Sequence, residues 1–120
     1  MADRETSMRR YLAVWNGTAS VDELDHLVTP GYVGHIGSRD RDLGELKRDI
    51  VAYHARAGDV EFKVLHRFSE GDYVATRLVA RVADPTTGVA LAASGLNTSR
   101  WEDGLLAEEW AVWESLEPAG

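Results

Sequence analysis

The feature that most constrains this chain is a change in the spacing of its apolar residues at Val60. From there to Phe68 apolar and polar side chains alternate, which is the two-residue period of a β-strand. Further strands are predicted over residues 73–83, 89–101 and 105–116. The polar connections between them are short, at residues 69–72, 84–88 and 102–104. Since a short connection returns a strand alongside its predecessor, the second half of the chain predicts an antiparallel meander.

Before Val60 the spacing is mostly helical. Three helices are predicted, with Asp3, Ser20 and Asp42 as N-terminal caps and with ends at Asn16–Gly17, Pro30–Gly31 and Gly58. A short strand over residues 32–36 and a polar loop, GSRDRD, lie between the second and third helices. Because the helices precede a sheet of sequential strands, we expect an α+β fold in a single domain over residues 1–120.

The charge and composition argue against several kinds of partner. The chain has 13 basic and 20 acidic residues and a net charge of −7, whereas nucleic acids and anionic membranes bind basic surfaces. It has no cysteine, and no apolar run approaches the roughly 20 residues of a membrane-spanning helix. The N-terminal stretch lacks the apolar core of a signal peptide. We therefore expect a soluble cytoplasmic protein that binds neither nucleic acid nor membrane.

The sequence lacks the residues that most cofactor-dependent reactions require. There is no glycine-rich phosphate loop and no HExxH motif, and the four histidines are scattered without carboxylates at metal-ligand spacing. Lys47 and Lys63, the two lysines, fall on polar faces, so a Schiff base is not expected. Two possibilities remain: proton transfer without a cofactor or metal, or binding alone.

The segment EEWAVWE near the end of the chain interleaves acids with tryptophans. Alternation along a strand places Glu108, Trp110 and Glu114 on one face and Glu109 and Trp113 on the other. Either all the acids are solvated, or some of them line a cavity that the indoles wall. In the second arrangement a carboxylate beside apolar groups has a raised pKa and can transfer protons near neutral pH.

Three stretches resemble the SnoaL-like (polyketide cyclase) branch of the nuclear transport factor 2-like superfamily. They are YVGHIG with Tyr32 and His35, EGDYVATR, and RWEDGLLAEEWAVWE, and the resemblance runs from Tyr11 to Glu114. It implies a curved antiparallel sheet that wraps around the N-terminal helices as a cone with a deep pocket. Proteins of this fold include cyclases, isomerases and dehydratases as well as members without known chemistry, so the fold does not decide the function.

The resemblance also implies positions for the acid–base groups. It implies that the strand face with Glu108 and Trp110 points into the pocket. Glu114 lies near the position of an aspartate on the branch's last strand, although a residue so near the chain end can equally be solvated. His35 is implied as a pocket residue, either an acid–base partner or a donor to a substrate carbonyl, with a structural histidine as the alternative. The branch pairs its aspartate with a histidine on the preceding strand, where this chain has none and Asn97 is the nearest polar candidate.

Further candidates for the pocket come from the strands and the third helix. Arg77 shares a face with small apolar residues and needs a carboxylate partner, either Glu108 or Glu114, whose pKa it would lower. His66 lies on an apolar strand face, as a core or pocket-floor residue. His54 either reaches the cavity mouth or completes the C-terminal turn of its helix. An aromatic wall, or else ordinary core, is expected from Tyr11, Trp15, Tyr32, Phe62 and Trp110.

We therefore expect a cofactor-free acid–base enzyme of the cyclase, isomerase or dehydratase type. Its substrate is a small apolar carbonyl compound, such as a polyketide- or terpenoid-like metabolite. Glu108 or Glu114 moves a proton, and His35 or Arg77 stabilises the developing enolate. The alternative is a non-catalytic small-molecule-binding or dimerisation domain.

A homodimer is also expected. One side of the predicted sheet mixes apolar and charged residues, as protein interfaces do. That side carries Leu65, Arg67, Val79, Arg81 and Trp113.

Overall fold

The computed structural model describes residues 3–119, so residues 1, 2 and 120 of the predicted domain lie outside the described part. The elements of this part are α1 (Arg4–Trp15), a 3₁₀ helix (Val21–His26), β1 (Val28–Ile36), β2 (Arg39–Arg41), α2 (Leu43–Ala57), β3 (Val60–Glu70), β4 (Tyr73–Ala83), β5 (Ala90–Glu102), β6 (Leu105–Trp113) and β7 (Glu117–Pro118). The helices precede the long strands, as predicted. None of the helices within residues 3–119 has the length and apolar character needed to cross a lipid bilayer.

Side-chain caps determine where α1 and α2 begin. Asp3 accepts a hydrogen bond from the Thr6 backbone amide at 3.2 Å, and Asp42 and Glu45 form a reciprocal capping box. α2 ends at Gly58, whose positive φ of 69° favours glycine. The two helices predicted from these residues are confirmed.

The stretch between α1 and α2 differs from the prediction. The second helix is a 3₁₀ helix that ends at His26 rather than at Pro30–Gly31, and those two residues lie within β1. The cause is β6, because the Leu106 amide donates to the Leu27 carbonyl at 2.9 Å and β1 runs parallel to β6 from Val28 onward. The loop GSRDRD likewise contains β2, which pairs with the end of β1. Pairing with a distant strand has overridden local turn signals.

The seven strands of the described part form one sheet. Their order is β2-β1-β6-β5-β4-β3, with β7 beside β5. β3 to β6 form the predicted antiparallel meander, and the β1–β6 pair is parallel. The sheet curves without closing and carries the N-terminal helices on its concave face, so the α+β fold predicted from the sequence is confirmed.

A β-bulge on β6 reverses the facing of the rest of that strand. Trp101 of β5 pairs with Leu106 and Arg100 pairs with Glu108, which leaves Ala107 as an extra residue. Because side chains alternate with a period of two, one extra residue exchanges the two faces for every residue that follows it.

β3 carries a second bulge with the same effect. Val64 pairs with Leu78 and His66 pairs with Arg77, so Leu65 has no partner. Beyond this point Arg67 lies on the concave side of the sheet and His66 on the outer side.

The hydrophobic core fills the space between the helices and part of the concave face. Its large buried members include Leu24, Leu27, Tyr32, Leu46, Ile50, Trp101 and Leu106. Several of them belong to the apolar helix faces that the sequence predicts. Burying each such side chain contributes about 1.5–3 kcal/mol, so this cluster holds the helices against the sheet. Next to it, a cavity remains between the helices and the strands.

Candidate active site

A cavity of about 350 Å³ lies between α1, α2 and the concave face of the sheet. Most of its wall is apolar and consists of Met8, Leu12, Trp15, Ile36, Tyr53, Phe62, Val64, Leu78, Ala80, Ala93, Trp101, Leu106, Ala111, Trp113 and Leu116. The polar side chains of the wall are Tyr11, Arg67, Thr76, Asn97, Ser99, Glu109 and Glu114. An apolar cavity of this size with a few polar groups is typical of small-molecule sites.

Glu109 places a carboxylate in this cavity, although the residue is only 3% exposed. Its Oε2 accepts hydrogen bonds from the hydroxyls of Tyr11 at 2.6 Å and Tyr32 at 2.5 Å. Its Oε1 accepts from Nδ2 of Asn97 at 2.8 Å. Within the described residues no lysine or arginine forms an ion pair with Glu109. Neutral donors therefore hold the carboxylate in place.

The two tyrosines remain protonated. Burial first, and then the negative charge of Glu109, raise the pKa of Tyr32 far above its ordinary value of 10.0. The same two causes raise the pKa of Tyr11 well above that value. Both phenols therefore stay hydrogen-bond donors at physiological pH and keep the Glu109 carboxylate in one orientation.

Two glycines make room for aromatic rings at the concave face. Gly34 lies beside Glu109 on the neighbouring strand β1, and a methyl group at Gly34 would come within 2.3 Å of the Tyr32 hydroxyl. The Tyr32 ring thus uses the space over residue 34 to reach Glu109. In the same way the Trp113 ring lies over Gly95, where an added Cβ would come within 2.5 Å of it.

Glu108 and Trp110 lie outside the cavity, so their predicted pocket positions are wrong. The bulge at Ala107 turns both of them to the outer face of the sheet. It also turns Glu109 and Trp113, which were expected on the outer face, into the cavity wall. Alternation counted along the sequence contains no sign of the extra residue, and the face assignment was therefore off by one.

His35 also faces outward, so its predicted pocket position is wrong. Its strand turns Gly34 and Ile36 inward, and His35 Nε2 lies 2.7 Å from Glu108 Oε2 on the outer face. Its Nδ1 lies 2.8 Å from Oδ1 of Asp40. Hydrogen bonds to these carboxylates, with the Glu108 bond first, raise the pKa of His35. The His35 bond in turn lowers the pKa of Glu108.

The pocket positions predicted for Arg77 and His66 are wrong as well. The two residues pair across β4 and β3, and both are exposed. Arg77 faces outward because Thr76 and Leu78 hold the inward positions of β4, and the bulge at Leu65 turns His66 the same way. Among residues 3–119, Arg77 forms no ion pair, so the expected acid partner is not found.

The remaining candidates differ in their distance from the cavity. Four of them line it: Trp15, Phe62, Asn97 and Glu114. Tyr32 lies behind the wall and reaches it only through its bond to Glu109. His54 lies outside the cavity, in the last turn of α2, where its Nε2 donates to the carbonyl oxygen of Trp15 at 2.6 Å. It therefore joins α2 to the end of α1 and does not reach the cavity mouth. The roles of the four lining residues toward a substrate stay predictions.

Sequence reasoning missed Glu109 and Arg67 as residues of the cavity. Each follows a bulge, and an extra residue in a strand leaves no mark on an alternating pattern. One signal was available for Glu109, since the other residues that share its face by simple alternation are all apolar: Leu105, Ala107, Ala111 and Trp113. A lone acid on an otherwise apolar strand face is a candidate for a buried functional group.

The polar groups of the cavity are suited to direct contact with an organic ligand. Among residues 3–119, no group of three or more His, Asp or Glu side chains is arranged to hold a metal ion. The wall instead offers hydroxyl and amide groups, two carboxylates and one guanidinium.

Known proteins share this architecture. The sequence model of the SnoaL-like domain matches residues 8–109. IdmH, a candidate polyketide cyclase from Streptomyces antibioticus, is 25% identical with a TM-score of 0.82, over 92% of this chain and 91% of its own. A candidate SnoaL-like polyketide cyclase from Jannaschia is 16% identical with a TM-score of 0.80, over 92% and 85%. AclR, a candidate hydroxylase from Streptomyces galilaeus, is 18% identical with a TM-score of 0.77, over 92% and 78%. No curated protein sequence matches the chain.

The matched region includes α2, all but the first four residues of α1, the buried acid and most of the sheet. The solved structures agree with this chain in the curved sheet and the helices that it carries. At the level of the family, these neighbours support a cyclase-like enzyme. The chain belongs to the SnoaL-like domain family and has the nuclear transport factor 2-like fold.

Proposed function

We propose that the protein is a cofactor-free acid–base enzyme of the cyclase, isomerase or dehydratase type that acts on a small, largely apolar carbonyl compound. The Glu109 carboxylate carries this proposal, because it is buried in an aromatic-walled cavity and held by three neutral donors. A positioned carboxylate of this kind can remove a proton from the carbon next to a bound carbonyl group.

In the proposed reaction Glu109 takes that proton, and the electron pair of the C–H bond forms the C=C bond of an enolate. Negative charge collects on the former carbonyl oxygen. Asn97 has a second amide hydrogen besides the one it donates to Glu109, and Thr76 is its direct neighbour on β4, so both can donate to that oxygen. In a conjugated enolate the proton can return to a different carbon, which gives a double-bond isomer. Alternatively the enolate carbon attacks a second carbonyl group, whose oxygen takes the proton, and a ring closes.

A flat, polyketide-like substrate suits this site. Trp15, Phe62 and Trp113 supply aromatic faces to the cavity wall, and Trp15 and Trp113 both pack edge-on against Phe62. Such faces favour planar unsaturated ligands. The assignment of IdmH and of the Jannaschia protein to the polyketide cyclases supports the same class of substrate.

The proposal is tested by exchange of the α-protons of 2-tetralone in D₂O, followed by NMR. Glu109→Gln keeps the shape of the side chain and removes the basic oxygen, so the exchange rate should fall by about 10²–10⁴. The matched control is Glu108→Gln, one residue away on the outer face, which should exchange at the wild-type rate. Equal rates for both variants, compared at similar thermal stability, would exclude Glu109 as the base.

A non-catalytic ligand-binding domain is the alternative, and one observation favours it. Through Tyr11 and Tyr32, Glu109 ties α1 and β1 to β6, which is a role that a purely structural acid could fill. In that case the wild-type protein binds 2-tetralone without exchanging its protons. Glu109→Gln would then lower the unfolding temperature and nothing else.

We also propose that two copies dimerise through the outer face of the sheet. Arg67 and Trp113 belong to the cavity wall and drop out of the predicted interface. Exposed apolar residues hold the centre of the outer face: Tyr73, Leu96, Trp110 and Val112. Arg77 and Arg81 lie to one side of this centre, and the ion pairs of Glu108 with His35 and Arg100 lie to the other, so the apolar centre has a polar rim.

A further inference from the structure

We propose that Arg67 selects ligands that carry a carboxylate, so that the preferred ligand class is an aromatic or polycyclic carboxylic acid. This inference rests on the cavity named in the proposed function and adds the group that a ligand must present there.

Arg67 lies in the cavity wall because of the bulge at Leu65. Without that extra residue, alternation would have turned His66 inward and Arg67 outward. The bulge therefore places a guanidinium in the cavity wall, beyond Val64 on β3 and opposite Thr76 on β4.

The guanidinium of Arg67 has donors to spare. Its Nε is shielded from solvent and forms no hydrogen bond with any described residue. The nearest carboxylate is that of Glu5, whose Oε2 is 3.8 Å from the Arg67 terminal nitrogen, a separation too long for a hydrogen bond. Glu5 is itself mostly exposed, with 62% of its side chain open to solvent. A ligand carboxylate in the cavity would approach the terminal nitrogens of Arg67, where the Glu5 carboxylate comes no closer than 3.8 Å.

A row of polar side chains joins Arg67 to the acid–base group. Arg67 pairs with Thr76, Thr76 pairs with Asn97, and Asn97 donates to Glu109. Neighbouring strands lie about 4.8 Å apart, so the backbones at Arg67 and Asn97 are about 10 Å apart. A planar ligand lying along this row can place its carboxylate at Arg67 and a reactive carbon near Glu109.

The charges of the cavity wall make binding of an anionic ligand depend on Arg67. The wall contains two carboxylates, Glu109 and Glu114, and within residues 3–119 Arg67 is its one basic side chain. The chain as a whole has a net charge of −7. An anionic ligand would be repelled without Arg67, whereas a neutral ligand would be indifferent to it. The flat guanidinium also matches the two oxygens of a carboxylate.

The test compares two isosteric probes, 2-naphthoate and 2-naphthamide, by titration calorimetry at low salt. The wild-type protein should bind the acid about tenfold more tightly than the amide. Arg67→Gln should abolish this preference, because it weakens the binding of 2-naphthoate and leaves the binding of 2-naphthamide unchanged. Arg77→Gln is the matched control, because it removes an arginine from the outer face of the next strand and should leave both affinities unchanged.

Glu5→Gln provides a second variant that leaves the cavity wall intact. Because it removes the carboxylate that competes for Arg67, it should strengthen binding of 2-naphthoate by up to about fivefold and leave 2-naphthamide unchanged. Equal binding of acid and amide by the wild-type protein, or equal losses in Arg67→Gln and Arg77→Gln, would overturn the inference. This test measures ligand affinity and the Glu109→Gln test measures proton exchange. A Glu109→Gln variant that still exchanges protons would therefore refute the proposed enzyme activity and leave the inference about Arg67 unchanged.

Discussion

Replacing Gly34 by alanine tests the arrangement that holds the buried acid. The new methyl group would lie 2.3 Å from the Tyr32 hydroxyl and 3.0 Å from the ring carbon that bears it. Tyr32 is only 2% exposed and belongs to the hydrophobic core, so moving its ring displaces packed neighbours. The methyl group should therefore push the phenol away from Glu109 and break their 2.5 Å hydrogen bond.

The expected loss of stability has two parts. A hydrogen bond to a charged group is worth about 1.5–3 kcal/mol, and overpacking a core costs about 1–3 kcal/mol. Alanine gives back about 0.5–1 kcal/mol because it has less backbone freedom to lose than glycine. Gly34→Ala should therefore lower the free energy of unfolding by about 2–5 kcal/mol, a large part of the stability of a domain this size.

A double-mutant cycle separates the clash from other effects of the methyl group. In a Tyr32→Phe background the hydroxyl and its hydrogen bond are already absent, so Gly34→Ala should cost only about 1–2 kcal/mol. Gly31→Ala is the control on the same strand, because a Cβ there would meet nothing within 4 Å. It should be neutral or slightly stabilising. The free energies are measured by urea unfolding of all the variants.

Two results would refute this reasoning. One is an equal cost of Gly34→Ala in the wild-type and Tyr32→Phe backgrounds, which would mean that the hydroxyl is not what the methyl group meets. The other is a cost no larger than that of Gly31→Ala, which would mean that the Tyr32 ring does not occupy the space over residue 34.

Two further predictions concern the outer face. The pKa of His35 is raised above 6.5, and the pKa of Glu108 is lowered below 4.5. Their contact therefore stabilises the fold most between pH 4.5 and 6.5. This stabilisation is lost as the pH rises through the raised pKa of His35 or falls through the lowered pKa of Glu108. Thermal unfolding of His35→Gln should thus differ most from wild type between about pH 4.5 and 6.5, while His26→Gln, at an exposed site, should track the wild type at every pH. Val112→Glu should convert a dimer to a monomer in light scattering, whereas Val51→Glu, at another exposed valine on α2, should not. A monomeric wild-type protein at high micromolar concentration would rule out the dimer.

Signals within short stretches of sequence determine the elements whose causes are local. Asp3, Asp42 and Gly58 mark the limits of α1 and α2 through contacts within a few residues, and the turn at Asp103–Gly104 closes the β5–β6 hairpin with both residues at positive φ. Periods of 3.6 and two residues separated the helices from the meander. These signals lie in short windows of sequence, which is why the α+β fold could be predicted from them.

Which side chains enter the cavity depends on how strands that are distant along the chain fit together. The bulges at Leu65 and Ala107 depend on the fit between each long strand and its neighbour in a curved sheet. Neither leucine nor alanine indicates a bulge in the sequence. The parallel pairing of β1 with β6 was equally invisible, since it joins segments more than half the chain apart.

The hydrogen bonds of Glu109 explain why local sequence patterns do not reveal which glutamate enters the cavity. Glu109 receives its hydrogen bonds from Tyr11, Tyr32 and Asn97, which are 98, 77 and 12 residues away along the chain. No local pattern can specify which of several adjacent acids will meet such donors. Glu108 and Glu109 have the same side chain and adjacent positions, and a single extra residue in the strand gives one to the cavity and the other to the outer face.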